Sequence, residues 1–398
     1  MFSLSLNAGT PATITGSIYV RLDKGDYTPG EQVTGVVMLN LFSNLNQGAV
    51  YLTVAGVEQV KLVEMHTTGA GDDKKEELLH HSDQNFFFNH RIPIHNFAGG
   101  FIPAGQYSFP FCFVLPTGLP SSFKYKFRKD MEDCFAMTSY EVRASLENQS
   151  ETSLNYTVPL AVNQPMQLSD GSKRMEMDTT VKHCCCIDKG SAKIVSYFEK
   201  QNYVPGETAY LITEADNTKS SAAISSITGE FYQVIRMKAG VYEENVRNTL
   251  KNVSMTGIQP GESKQGPNAL RIEIPLVNEK NTTNVEEKVV QPTSRGKLIT
   301  NEYYITNTLS MDACICCGSH PYCTLQLSLR NPSFNYNPWQ SQPENWNPQT
   351  FSPMNFQFSS DNRFDTNTYV NNQASSPQYG GNANVNYPGM PAMPPSSF

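Results

Sequence analysis

Hydrophobic and polar residues alternate along most of the chain with a period of two. In "SIYVRLD" Ile18, Val20 and Leu22 share one side, and in "GEQVTGVVMLNLF" Val33, Val37, Leu39 and Leu41 do the same. A β-strand sends successive side chains to opposite faces, so such runs predict strands with one face in a core and one in water. "AVYLTV", "QYSFPFCFVLP" and "SYEVRASLE" continue the pattern, each bounded by Gly, Pro, Asn or Ser. Short alternating strands separated by turn residues predict an antiparallel sandwich. The polar stretch "TTGAGDDKKEELLHHSDQN" interrupts the alternation and predicts a long loop or a short helix, with His80 and His81 in solvent.

Between the first two runs sits Tyr27-Thr28-Pro29-Gly30-Glu31, and the same spelling returns as Tyr203-Val204-Pro205-Gly206-Glu207, 203 − 27 = 176 residues later. Pro presets φ for the first central position of a turn and Gly accepts a positive φ at the next. Each segment is therefore predicted to be a hairpin-like corner whose Tyr, Pro, Gly and Glu are structural. After the second corner "TAYLITEAD", "FYQVIRM", "ALRIEIPLV", "GKLITNEYYITNTLS" and "YCTLQLSL" repeat the strand pattern. So long a period points to two copies of one domain and not to a solenoid. "NQPMQLSDGSKRMEMDTT" loses the alternation. The expected organisation is an all-β chain with one sandwich over residues 1–163, a linker over 164–180 and a second sandwich over 181–331.

Residues 332–398 change to Asn, Gln, Ser and Pro with scattered aromatics, among them Phe334, Tyr336, Phe351, Phe356, Phe358, Tyr369 and Tyr387, together with both tryptophans, Trp339 and Trp346. So little apolar surface predicts a disordered tail, with its aromatics as short linear anchors for partners. Elsewhere the 398 residues, 39% hydrophobic and 11% aromatic, suffice for a core in each sandwich. The net charge of −7 argues against a nucleic-acid partner. "MFSLSLNAGTPATITG" carries neither a basic n-region nor an apolar h-region, and the longest apolar run, "FPFCFVLP", is far short of the roughly 20 residues a membrane span needs. The expectation is a cytoplasmic protein.

The chemistry in the chain is sparse. It holds no Gly-x-Ser-x-Gly elbow, no His-Glu-x-x-His and no complete phosphate loop, so no enzyme and no cofactor are expected. The nine cysteines are expected to be thiols. Cys184 with Cys186, and Cys314 with Cys316, would share strand faces, and four converging thiolates suit zinc. Structural zinc normally uses Cys-x₂₋₄-Cys knuckles, so buried small hydrophobes are the main reading, with a metal site and an acylated membrane anchor as alternatives. In "SSFKYKFRKD" Lys124, Lys126, Arg128 and Lys129 alternate with aromatics, offering a contact for phosphate or an anionic lipid head group against a merely solvated strand face.

The repeated Tyr-x-Pro-Gly-Glu corner, "GGFIPAGQYSFPFCFVLPTGLPSSF" and "CCCIDKGSAKIVSYFEKQNYVPGE" together resemble the arrestin family, most closely its arrestin-domain-containing (α-arrestin) branch. Gly105 to Phe113 matches the family's Gly-x-Tyr-x-Phe-Pro-Phe-x-Phe strand, Leu119 to Phe123 its Leu-Pro-x-Ser-Phe, and "RGKLITNEYYITNTL" its late Gly-x-Leu-Ile-x-x-x-Tyr strand. The resemblance covers roughly residues 15 to 330. It implies two arrestin-type sandwiches and a non-enzymatic adaptor that binds membrane-protein cargo, links it to endocytic, endosomal or ubiquitination machinery, and associates peripherally with plasma membrane or endosomes. A retromer-like coat subunit and a metal- or redox-responsive sensor using the cysteines are the alternatives. The tail departs from the family: "MPPSSF" and "SPQYGG" stand where Pro-Pro-x-Tyr would recruit a ubiquitin ligase. The Arg-bearing strand that latches to the first domain in receptor-binding arrestins has no match, Arg363 being the tail's one basic residue.

Overall fold

The computed structural model describes residues 16–46, 48–69, 74–97, 99, 101–130, 132–148, 154–165, 173–183, 187–279, 290–313, 320–330 and 345–358. The first sandwich comprises β1 (Gly16–Leu22), β2 (Asp26–Tyr27), β3 (Gln32–Leu41), β4 (Gly48–Thr68), β5 (Lys75–Asn96), β6 (Gly105–Val114), β7 (Phe123–Lys129), β8 (Glu132–Asn148) and β9 (Leu154–Val162). One of its sheets runs β1-β3-β6, and the other β2-β9-β8-β4-β5 with β7 beside β8. Ile18, Val20 and Leu22 of β1 and Phe109, Phe111 and Phe113 of β6 meet Val50, Leu52 and Val142 of the opposite sheet in one core.

The second sandwich comprises β10 (Arg174–His183), β11 (Ile187–Phe198), β12 (Asn202–Tyr203), β13 (Thr208–Ser220), β14 (Ile224–Ala239), β15 (Tyr242–Thr256), β16 (Ser263–Lys264), β17 (Leu270–Pro275), β18 (Ser294–Arg295), β19 (Ile299–Met311) and β20 (Tyr322–Leu329). Its sheets run β10-β11-β13-β16 with β17 beside β13, and β12-β20-β19-β14-β15 with β18 beside β19. Ile194, Leu211, Ile227, Phe231, Ile305 and Leu325 lie in its core. No α-helix occurs among the described residues, and no helix there is long and apolar enough to cross a membrane.

Four stretches differ from the sequence pattern. The polar interruption is largely strand: β4 and β5 pair without a break in sense from Ala49↔Asn96 to Thr68↔Lys75. Their far ends are supported by the second sandwich, where the ring of His81 stacks on Tyr242 at 4.6 Å and Asp83 accepts from the Gly240 N–H. Of the stretch read as linker, Arg174 to Thr180 belongs to β10; its alternation, Met177, Thr179, Val181, is real but carried by side chains of middling hydrophobicity. β15 was hidden the same way by "YEENVRNTLKNV". Finally, within the stretch read as a disordered tail, residues 345–358 are folded, with β21 (Gln349–Thr350) and β22 (Met354–Phe356) both pairing parallel with β6.

Candidate functional site

The two Tyr-x-Pro-Gly-Glu segments adopt one geometry. Each is a crossing between sheets and not a tight hairpin: Tyr27 pairs parallel with Val162, and Tyr203 with Leu329, before the chain returns to its first sheet. Gly30 has φ +83° and Gly206 φ +89°. Their N–H groups donate to Leu115 O and Leu276 O at 3.1 and 3.0 Å. Glu31 Oε2 accepts the Thr28 N–H at 2.8 Å, as Glu207 Oε2 accepts that of Val204 at 2.9 Å, and Lys24 and Lys200 close each corner by pairing with the glutamate. Pro29 and Pro205 occupy the turn position that needs no donor. Gly30→Val or Gly206→Val should cost about 1–3 kcal/mol through the forced positive φ, read as a lower melting temperature; unchanged stability with loss of partner binding would give the turn a functional role instead.

The four basic residues of β7 are not one group. Lys124, Lys126 and Arg128 are exposed on one face, whereas Lys129 points the other way, where it donates to Tyr242 Oη at 2.9 Å and pairs with Glu244. Burial pulls the Lys129 ammonium down, yet its Glu244 and Tyr242 partners outweigh that and hold it above the ordinary lysine value. It belongs to the contact between the sandwiches. Cys184, Cys186, Cys314 and Cys316 lie outside the described residues, as do Phe334, Tyr336, Trp339, Tyr369 and Tyr387. Cys134 and Cys323 are buried thiols, pushed up by that burial.

Two arrangements were not visible in the sequence. The first is the contact between sandwiches. Val60, Leu62, Phe123 and Ala136 pack on Ile235, Met237, Leu298 and Ile299. Beside them the carboxylate of Glu58, fully buried, accepts the backbone N–H groups of Lys297 (3.1 Å), Leu298 (2.9 Å) and Ile299 (2.8 Å). Gly296 permits this approach, since a Cβ there would lie 2.0 Å from Glu58 Oε1. Burial pushes the Glu58 carboxyl up, only partly opposed by the three N–H donors. Ser121 Oγ donates to Thr293 O at 2.7 Å, and the Arg295 N–H to Gln164 Oε1 at 2.8 Å, extending the seam. A charged residue on the inward side of a strand, in step with Val60 and Leu62, is the signal that marks Glu58.

The second is a slot along the sandwich flank between the edge strands β6 and β5, filled by residues 345–358. The backbone ladder pairs Gln349 with Tyr107, Thr350 with Ser108 and Met354 to Phe356 with Phe111 to Phe113, broken at Pro353, which has no N–H to give. Phe351 stacks on Phe109 at 4.9 Å and lies 4.1 Å from the ring of His95. Phe356 stacks on Phe113, and Phe358 packs between Phe88 and His90. Burial lowers both His90 and His95. Chemically the slot is a strand-addition site with aromatic pockets: backbone groups supply adhesion, and the 351, 356 and 358 side chains supply selectivity.

Comparison with known proteins assigns both sandwiches. The family model described as Arrestin (or S-antigen), N-terminal domain, matches residues 17–169, and Arrestin (or S-antigen), C-terminal domain, matches residues 189–333. The chain is similar to Arrestin domain-containing protein A of Dictyostelium discoideum, 26% identical over 332 residues, covering 82% of this chain and 53% of the relative. It is also similar to Arrestin domain-containing protein 1 of Rattus norvegicus (26% over 250 residues, 60% and 51%) and Arrestin domain-containing protein 5 of Bos taurus (25% over 212 residues, 52% and 60%). The chain thus spans about half the length of the first curated relatives it matches.

Proposed function

The chain belongs to the arrestin family, and on that premise we propose that it is a non-enzymatic adaptor that holds peptide segments of membrane-protein cargo and links them to sorting machinery at the plasma membrane or endosomes. The observation that carries this reading is the occupied slot between β6 and β5. A sheet edge that accepts a strand in parallel, with aromatic pockets at fixed spacing, is a peptide-binding device, and here the chain's own segment holds it. Release of that segment would leave the β6 backbone and the Phe109, Phe113 and Phe88 surfaces to another extended peptide. No reacting group is needed for such work; affinity comes from ladder hydrogen bonds and burial of aromatic rings.

Proximity labelling in the native cell, comparing the full chain with one ending at Arg330, tests the proposal. Membrane proteins and endosomal components should dominate the neighbours, more strongly for the shortened chain. A neighbour set of soluble enzymes or nuclear proteins would overturn it.

A further inference from the structure

The outward face of the β7, β8, β4 and β5 sheet is formed by cross-strand rows. Arg128 stands beside Asp133; Lys126, Phe135, Lys61 and Ser82 form the next row; Lys124, Met137, Gln59 and Gln84 the one after. Alternation fixes which way these residues point: their neighbours Val60, Leu62, Phe123 and Ala136 face the second sandwich. Lys124, Lys126 and Arg128 are exposed, and Lys61, Phe135 and Met137 half-exposed. Within these rows four cations stand against the one carboxylate of Asp133, on a chain whose net charge is −7. The Arg128–Asp133 pair, 3.5 Å apart with side chains 71% and 90% exposed, is a weak solvent-exposed contact, which a phosphate can replace at little cost.

We propose that this face docks on an anionic phospholipid surface, with Lys61, Lys124, Lys126 and Arg128 meeting head-group phosphates and Phe135 and Met137 seated between them at the level of the acyl boundary. Three features select a lipid plane over a peptide. Two of the rows run across all four strands, spreading the charges over a broad face and not along a single strand. β8 and β4 are interior strands, so in them the face offers side chains and no free backbone for strand addition. The cationic ends surround an apolar pair, the arrangement by which peripheral proteins combine electrostatic attraction with shallow insertion. The sequence pattern showed only β7; Lys61, Phe135 and Met137 join it through the register, and Lys129 leaves it.

The test is co-sedimentation of the full chain with phosphatidylcholine vesicles and with phosphatidylcholine–phosphatidylserine vesicles, so it needs no cargo and can fail independently of the adaptor reading. Binding is expected to the anionic vesicles and to weaken with salt. Changing Lys61, Lys124, Lys126 and Arg128 to Gln together should lower affinity on the order of 100-fold or more, at roughly five-fold per charge. Phe135→Ser with Met137→Ser should weaken binding while keeping its salt dependence. Lys189→Gln with Lys219→Gln, on the second sandwich, should leave it unchanged. Thermal unfolding of each variant verifies that it is folded. Failure of the parent to bind anionic vesicles, equal binding by the four-residue variant, or capture of a soluble acidic peptide or inositol phosphate without vesicle binding would each overturn the proposal.

Discussion

Replacing Glu58 by Ala should uncouple the two sandwiches. Three backbone N–H groups, of Lys297, Leu298 and Ile299, end on this one carboxylate in a fully buried place, and Ala leaves all three without an acceptor. A buried donor stripped of its partner costs about 1–3 kcal/mol, so the loss should reach at least about 3 kcal/mol. Because the cost falls on the seam and not on either core, thermal unfolding should split into two transitions, one for each sandwich. Glu58→Gln keeps the shape and one acceptor oxygen but turns an NH₂ toward N–H donors, and should fall between parent and Ala. A change within about 0.5 kcal/mol for Glu58→Ala, the range of ordinary surface substitutions, would show that the seam rests on its apolar cluster alone. The pH response has a definite sign. Burial raises the Glu58 pKa in the docked state, so the docked state holds this proton more tightly than the separated one. That contribution is fully present below the ordinary glutamate value and is lost as pH rises through the raised pKa. Glu58→Gln should remove it.

What the sequence disclosed follows the strength of each local signal. The period-two runs around Val20, Val37 and Phe111 belong to strands that bury one face in their own sandwich, and these were legible because core and pattern coincide. β5 was not, since His81 and Asp83 find their partners, Tyr242 and Gly240, on the other sandwich, where polar side chains are satisfied by groups distant in sequence. The corners were recognised as turns from Pro-Gly, but their crossing between sheets depends on Tyr27 and Tyr203 pairing with strands that end each domain. Composition also misjudged residues 345–358. A segment as poor in apolar side chains as "NWNPQTFSPMNFQF" cannot build a core, yet it needs none, because the slot supplies Phe88, Phe109 and Phe113. Order there is a property of two surfaces, and only one is written in the segment.

That dependence on the slot gives the second large effect. Phe351→Ala with Phe356→Ala should release the segment. Removing a well-buried Phe costs about 3–5 kcal/mol in a core and less on a flank, but two short strands have few other contacts to set against it. Hydrogen exchange at the amides of 349–356 and at β6 should rise together in the variant; protection unchanged from the parent would mean that the ladder alone holds the segment. Acid should act in the same direction. Residues 345–358 carry no ionisable side chain, so the histidines of the slot are the groups expected to make docking pH-dependent. His95 lies among Phe97, Phe109 and Phe351, and His90 against Phe358, surroundings that disfavour an imidazolium. Both pKa values are lowered by burial from the ordinary 6.5. A lowered pKa in the docked state means that the released state binds protons more readily. Docking is therefore at full strength above the ordinary histidine value and weakens as pH falls through the lowered values. Between about pH 7.5 and about pH 5, exchange protection of 349–356 should fall in the parent and persist in His90→Gln/His95→Gln. Equal loss in both would place the acid response outside the slot.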